Sequence, residues 1–176
     1  MKRTWVLPVS CLFFFLPFAQ GQLGVYAGFS AANTNVANEP WFYGETFGAY
    51  YNVVKLPLIH LGIDGRATIL NGSGSLSQQR FINGLGGPRL ELHVPLIPLK
   101  PYVAGLVGGS NVQVGQGSAR TEKTAFGYGF AAGVDLTIFP RLDWRVAEYS
   151  YTRSNIRDGV NQSILTTGLV LRLPVP

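Results

Sequence analysis

Apolar and polar side chains alternate along most of this chain after residue 21. In the segment 124–138, aromatic and aliphatic residues occupy every second position, and mainly Gly, Ala, Asp and Thr occupy the positions between them. The segments 60–70 and 164–173 show the same pattern, with Leu and Ile at many of the apolar positions. A period of two places successive side chains on opposite faces of a β-strand, so each segment is predicted to be a strand with one apolar face.

Eight such segments can be assigned, and the connections between them alternate in length and composition. The predicted strands cover residues 22–32, 41–54, 60–70, 89–94, 100–113, 124–138, 142–154 and 164–173. The connections 33–40, 71–80, 114–123 and 155–161 are polar, whereas 55–59, 95–99 and 139–141 are short and contain proline, which presets a turn. The pattern predicts an all-β fold, an eight-stranded antiparallel up-and-down barrel with short turns at one end and longer loops at the other.

The first 21 residues have a different character. Two basic residues precede an apolar stretch over residues 5–19, and Ala19 and Gly21 provide the small residues of a small-x-small cleavage site. This predicts a signal peptide over residues 1–21 and one barrel domain over residues 22–176. No apolar run of about 18 residues follows, so a closed barrel is the membrane structure that remains for an exported chain. We therefore expect a transmembrane β-barrel in the lipid bilayer of the cell outer membrane.

The composition also favours a membrane barrel. Charged residues make up only 13% of the chain, about half the usual share for soluble proteins. The 22 glycines suit the inward face of a narrow barrel, because an eight-stranded barrel is only just wide enough for its side chains. A secreted, lipocalin-like barrel that binds a small apolar ligand is the alternative. It would carry its charges outside, whereas a membrane barrel carries them inside.

Charged residues lie on the strand faces opposite the large apolar side chains. The candidate lumen charges are Asp64, Arg66, Arg89, Glu91, Asp135, Arg145, Glu148 and Arg172. Four acidic and four basic groups in a narrow interior are expected to pair and to plug the lumen, because an unpaired buried charge is costly. A gate, a proton path or a narrow small-solute channel is the alternative role. Arg145 and Glu148 are three residues apart, so either a β-bulge lies near Ala147 or one side chain faces outward.

Aromatic residues cluster where a strand would cross the membrane–water interface. Tyr and Trp suit that region because one end of the side chain is apolar and the other is polar. The candidate girdle residues are Trp41, Phe42, Tyr43, Tyr50, Tyr51, Tyr102, Tyr149 and Tyr151.

Four segments carry a family resemblance. They are PYVAGLVGG at 101–109, YGFAAGVDL at 128–136, PRLDWRVAEYSYT at 140–152 and GLVLRL at 168–173. In this order and spacing they resemble the small eight-stranded barrels of the outer membrane protein A-like superfamily. The resemblance implies an integral outer-membrane protein without catalysis, with a structural, adhesive or envelope-integrity role, inserted by the barrel-assembly machinery. Members usually end in an aromatic residue, whereas this chain ends in Pro176.

Residue types that support metal binding or catalysis are scarce. The chain has one cysteine, Cys11, and two histidines, His60 and His93, so no metal or cofactor site is expected. His93 shares a face with Glu91, as a general base and its carboxylate would, but no nucleophile accompanies the pair in sequence. The basic residues are scattered, so no nucleic acid partner is expected. We expect a non-enzymatic barrel whose extracellular loops carry any ligand recognition.

Overall fold

Eight antiparallel strands form a closed barrel, which confirms the predicted fold. The structure is a computed structural model that describes residues 22–35, 41–73, 78–93, 97–114, 121–155 and 159–174. The strands are β1 Gln22–Thr34, β2 Phe42–Lys55, β3 Ile59–Ser73, β4 Gln78–Leu92, β5 Leu99–Val114, β6 Thr121–Phe139, β7 Leu142–Ser154 and β8 Val160–Pro174. Each strand pairs with the next, and β8 pairs with β1. The segment assigned to the signal peptide, residues 1–21, lies outside the described residues.

The two ends of the barrel are distinguished here by the strands that they connect. The end that joins β2 to β3, β4 to β5 and β6 to β7 is called the turn end below. The opposite end, which joins β1 to β2, β3 to β4, β5 to β6 and β7 to β8, is called the loop end. Parts of the loop-end connections lie outside the described residues. Within the described ranges, no helix is long and apolar enough to cross a membrane.

The strand β4 is much longer than the sequence pattern predicts. It covers Gln78–Leu92, whereas alternation indicated only residues 89–94. Three glycines and a proline within residues 84–88 interrupt the alternation and hide the strand, since both residue types are unusual in strand interiors. Pro88 pairs with β3, but on the β5 side the paired positions stop before residue 87 and resume at Arg89. Proline has no backbone N–H to donate, which accounts for this local gap.

The alternating faces lie as the sequence predicts. Large apolar side chains point away from the barrel, and Ile63 and Leu169, for example, are 61% and 52% exposed. The positions between them point inward and are mostly buried. The outside of the barrel is therefore apolar and the inside contains the polar residues, which is the reverse of a water-soluble barrel.

An apolar cluster fills the interior at the loop end, and we call it the apolar cap. Phe42 and Phe81 meet edge to face at its centre, with 5.0 Å between the ring centroids. The buried members of the cap are Ala32, Phe42, Leu70, Phe81, Val160 and Ile164. The prediction that Phe42 belongs to an interfacial girdle is wrong, because its side chain points into the barrel and is fully buried.

Inward-facing glycines make room for large rings in the lumen. A Cβ atom on Gly24 would overlap the ring of Tyr50 on the neighbouring strand, and one on Gly133 would overlap the ring of Tyr102. Because the barrel is narrow, a ring on one strand requires an empty position beside it. The high glycine content is thus explained in part by the packing of the interior.

Candidate functional site: the charged interior

The structure places all eight candidate lumen charges inside the barrel. Seven of them are buried, and the side chain of Arg172 is 15% exposed near the turn end. They are contributed by β3, β4, β6, β7 and β8, so their contacts run across the lumen as well as along its wall. We call the contacts among the seven buried groups the ion network.

Glu148 joins one side of the ion network to the other. Its Oε1 accepts a hydrogen bond from Arg66 Nη1 at 2.6 Å, and its Oε2 accepts one from Arg145 Nη1 at 3.1 Å. The hydroxyl of Tyr102 donates a third hydrogen bond to Oε2 at 2.5 Å. The carboxylate is therefore held by donors from three different strands, and charged donors make these bonds stronger than neutral ones.

Three further carboxylates complete the ion network. Asp135 accepts hydrogen bonds from Arg145 Nε at 3.0 Å and from Arg89 Nη2 at 3.2 Å. Arg89 also donates a hydrogen bond to Glu91 at 3.0 Å, and its Nη1 lies 3.5 Å from Asp64 Oδ2. Asp64 in turn accepts a hydrogen bond from Arg66 Nε at 3.0 Å. Each guanidinium contacts at least two carboxylates. The network is thus continuous rather than a set of isolated pairs, which is how buried charges are kept compensated.

A β-bulge in β7 brings Arg145 and Glu148 to the same side of the strand. The pairing with β8 shifts between these two residues, and the pairing with β6 shifts at Val134 and Asp135. Val146 and Ala147 both lie exposed on the outside, where a regular strand would have one residue. Of the two alternatives left by the sequence, the structure contains the bulge.

Three tyrosines pack against the guanidinium groups of the ion network. The Cζ atom of Arg89 lies 3.6 Å from the ring centroid of Tyr102 and 4.0 Å from that of Tyr50. Arg145 Cζ lies 4.0 Å from the ring centroid of Tyr26. A cation over an aromatic face is attracted by the ring, and more strongly where water is excluded.

The prediction that Tyr50 and Tyr102 belong to an interfacial girdle is wrong. Both side chains point into the lumen and are buried. A buried tyrosine is acceptable when its hydroxyl finds a partner, as that of Tyr102 does on Glu148. Of the remaining girdle candidates, Tyr151 is half-buried and the others are exposed on the outside of the barrel: Trp41, Tyr43, Tyr51 and Tyr149.

Sequence reasoning missed a second group of interior charges near the turn end. Lys100 Nζ lies 3.1 Å from Asp143 Oδ2, and Arg172 Nη2 donates to Asp143 Oδ1 at 2.8 Å. The strand period gives the signal that was overlooked, because Lys100 is in phase with Tyr102 and Asp143 is in phase with Arg145. With this group included, the described interior holds five cations and five carboxylates in ion pairs.

The two histidines meet at the turn end. Their rings stack with 5.2 Å between centroids, and His60 Nδ1 lies 3.5 Å from Glu91 Oε1. Burial is the main cause that lowers the pKa of His93 below its usual range, and the neighbouring His60 is the second cause. Among the residues the structure describes, no three His, Cys, Asp or Glu side chains are grouped to hold a metal ion.

An apolar outside, a charged interior and a closed sheet together define a transmembrane β-barrel. The model of the outer membrane protein beta-barrel domain family matches residues 6–172, and the chain belongs to this family. It is therefore a protein of the cell outer membrane, in contact with the lipid bilayer. The secreted, lipocalin-like alternative is excluded, since the charges that separate the two interpretations lie inside the barrel.

Solved outer-membrane barrels share this fold. Neisserial surface protein A is 16% identical, with a TM-score of 0.63 over 87% of this chain and 97% of that chain. The attachment invasion locus protein Ail of Yersinia pestis is 13% identical, with a TM-score of 0.61 over 88% of this chain and 99% of that chain. The outer membrane protease OmpT of Escherichia coli is 8% identical, with a TM-score of 0.51 over 91% of this chain and 99% of that chain. A search of curated protein sequences gave no match.

Proposed function

We propose that this protein is a non-enzymatic barrel with a structural, adhesive or envelope-integrity role, and that its side-chain ion pairs plug the lumen. The observation that carries the proposal is the charge balance of the described interior, where five cations each lie within 4 Å of a carboxylate: Arg66, Arg89, Lys100, Arg145 and Arg172. Removing one partner would leave an uncompensated buried charge, so the network resists opening. A filled interior supports a structural role rather than a transport role.

The absence of catalysis is part of the same proposal. OmpT is a protease and has the same kind of fold, but a shared fold does not carry an activity with it. In this chain, His60 contacts Glu91 and His93, at the turn end of the barrel. The charged side chains of the ion network are engaged with one another. These contacts support a packing role for the groups that a general acid–base mechanism would need.

Recognition of an extracellular ligand is assigned to the loop end. In outer-membrane barrels the longer loops face outward from the cell and the short turns face the periplasm. The name of Ail describes that protein as an attachment invasion locus protein, which supports an adhesive role here. Insertion by the barrel-assembly machinery follows from membership of a barrel family, and it is likewise proposed.

Conductance of a planar lipid bilayer tests whether the lumen is plugged. Purified protein is expected to give no steady unitary conductance in salt solution. The comparison is a variant that removes two facing charges and part of the apolar cap, Arg66→Ala, Glu148→Ala and Phe81→Ala together. It is expected to conduct because it shortens both side chains of one cross-lumen pair and also opens the cap. Steady conductance of the unaltered protein would favour the narrow small-solute channel and overturn the plug.

Binding of cells tests the adhesive role. The protein is expressed in the outer membrane of a host that does not adhere, and adhesion to cultured cells and to matrix proteins is measured. A variant with residues 36–40 and 115–120 replaced by Gly and Ser is the comparison, and it is expected to reach the membrane but to adhere less. Equal adhesion of the variant and the original protein would contradict recognition through these loops.

A further inference from the structure

The inward-facing residues of β2 and β3 change in character along the barrel axis. On β2, reading from the loop end, Phe42 is followed by Thr46, then Tyr50 and finally Asn52. On β3, also read from the loop end, Leu70 is followed by Thr68, Arg66, Asp64 and His60. Along these two strands the lumen thus changes from apolar at the loop end to polar or charged at the turn end. On β4, β5 and β6 a second apolar cluster intervenes, formed by Leu85, Ala104, Leu106 and Ala131.

A layer of hydroxyl and amide groups lies directly beneath the apolar cap. Ser30 Oγ lies 2.7 Å from Thr46 Oγ1 and 2.8 Å from Thr166 Oγ1, and Thr46 lies 3.0 Å from Thr68. On the other side of the lumen, Asn83 donates to Gln162 at 2.6 Å and accepts from Ser110 at 2.5 Å. We call these groups the hydroxyl layer. Its members satisfy most of their hydrogen bonds with one another, so this layer needs little water.

The turn-end half of the lumen contains buried polar atoms without a partner in the described part of the chain. Asn52 is fully buried and points inward, yet neither its Oδ1 nor its Nδ2 has a hydrogen-bond partner among the described residues. The Nε atoms of Arg89 and Arg172 are also unpartnered. In the hydroxyl layer, Gln162 lacks a partner for its Nε2, while its Oε1 is engaged. At the loop end, the buried Thr34 Oγ1 is also unpartnered, and it lies two residues beyond Ala32 of the cap, on the outer side.

Water is the ligand that fits these atoms. A buried amide without a partner costs free energy, and buried waters in proteins normally bond two to four such groups. The apolar cap offers no such partners, and apolar cavities stay dry. Water can therefore be bound from the turn end up to the ion network, whereas the cap blocks its entry from the loop end.

We infer that the lumen is a blind aqueous pocket that opens to the periplasm and is sealed toward the outside of the cell by the apolar cap. Its ligands are water and small hydrogen-bonding solutes. The apolar cap is the outer seal of this pocket, and the ion network narrows the lumen beneath the cap, as in the proposed plug. It does not depend on an adhesive role or on the absence of catalysis.

Thiol labelling can test this inference directly, because residues 22–176 contain no cysteine. Asn52→Cys places a thiol in the turn-end half, and Ser30→Cys places one in the hydroxyl layer. Both parent side chains are 0% exposed, so burial alone predicts equal protection. The rate of reaction with a small methanethiosulfonate is measured on barrels folded in detergent micelles, where both ends meet the reagent. Each rate is normalised to that of the same variant unfolded in urea.

The expected result is that Asn52→Cys reacts at least about tenfold faster than Ser30→Cys, since labelling requires water and reagent at the thiol. Adding Phe81→Ala to Ser30→Cys is expected to raise its rate, and adding it to Asn52→Cys is expected to change little. Equal rates for the two single variants, or a protected Asn52→Cys, would overturn the inference. If the Phe81→Ala variants do not fold, the comparison of the single variants still decides.

Discussion

At the scale of single residues, Glu148 shows how a carboxylate is accommodated inside a membrane barrel. It is 1% exposed and is held by Arg66 on β3, Tyr102 on β5 and Arg145 on β7. Desolvation of such a group is costly, and donors on several sides offset that cost. The residue therefore connects three strands that are not all neighbours in the sheet.

Glu148→Gln is expected to lower the free energy of unfolding by about 3–5 kcal/mol, because it leaves Arg66 and Arg145 without full compensation in a buried site. The measurement is urea unfolding of the protein in lipid vesicles. Glu122→Gln is the matched control, since Glu122 is exposed on the outside near the loop end, and a change within about 0.5 kcal/mol is expected. A similar small change for both variants would mean that the ion network contributes little to stability.

Leu169→Arg tests the lipid-facing side of the barrel. Leu169 lies in the middle of β8 on the outer face, where a charge is expected to cost about 2–4 kcal/mol. Leu173→Arg changes the same residue type on the same face near the turn end, where the expected cost is about 0–1 kcal/mol. The free energy of unfolding in lipid vesicles is measured for both variants. Equal costs would show that the two positions do not differ in membrane depth.

The inward charges and the inward tyrosines differ in how well the sequence predicts them. In a membrane barrel, a charged residue that alternates with leucine is favourable only on the lumen face of the strand. Its orientation therefore follows from the strand period alone. A tyrosine is suited both to the headgroup region and to a buried site with a hydroxyl partner, so Tyr50 and Tyr102 could not be placed by residue type. Phase along the strand would have placed them, as it would have placed Lys100 and Asp143.

At the scale of elements, the sequence predicts regular strands better than irregular ones. β6 and β8 contain long uninterrupted alternation, and their predicted ranges lie within the observed strands. The first part of β4 was missed because glycines remove the side chains that reveal alternation, and Pro88 suggests a break. The strands β3 and β5 pair with this segment on its two sides, and no local sequence pattern contains that information.

The bulge in β7 can be tested by shortening the strand. Removal of Val146 leaves Arg145, Ala147 and Glu148 in regular alternation, so both charges still face inward and the barrel is expected to form. Removal of Tyr149 is the control. It reverses the faces of residues 150–154 and is expected to prevent folding, since polar groups would then face lipid. Gel mobility of the unheated protein measures folding. Failure of the Val146 deletion to fold would show that the bulge has a role beyond setting the faces.

At the scale of the whole molecule, the closure of the sheet is the dominant feature. β1 and β8 pair over the full length of β1, from Gln22 with Pro174 to Thr34 with Gln162. A closed sheet has no free edge, and every strand satisfies its backbone groups on its neighbours. Such a structure is expected to survive in a detergent that unfolds open sheets.

Closure predicts a heat-dependent mobility on a gel. In sodium dodecyl sulfate, the unheated protein is expected to migrate differently from the boiled protein, because the barrel stays folded until it is heated. A chain that ends at residue 159 lacks β8, cannot close, and is expected to give one band under both conditions. A single band for the full chain, with protein in the soluble periplasmic fraction, would contradict a closed membrane barrel.

The pairing of tyrosine rings with glycines on the neighbouring strand has a consequence for the evolution of this protein. Tyr50 occupies the space that a side chain at position 24 would need, and Tyr102 does the same at position 133. A larger residue at either glycine becomes acceptable only after the facing tyrosine has become smaller. Substitutions at these positions should therefore occur together among related sequences, and position 24 should covary with position 50 even though 26 residues separate them in the chain.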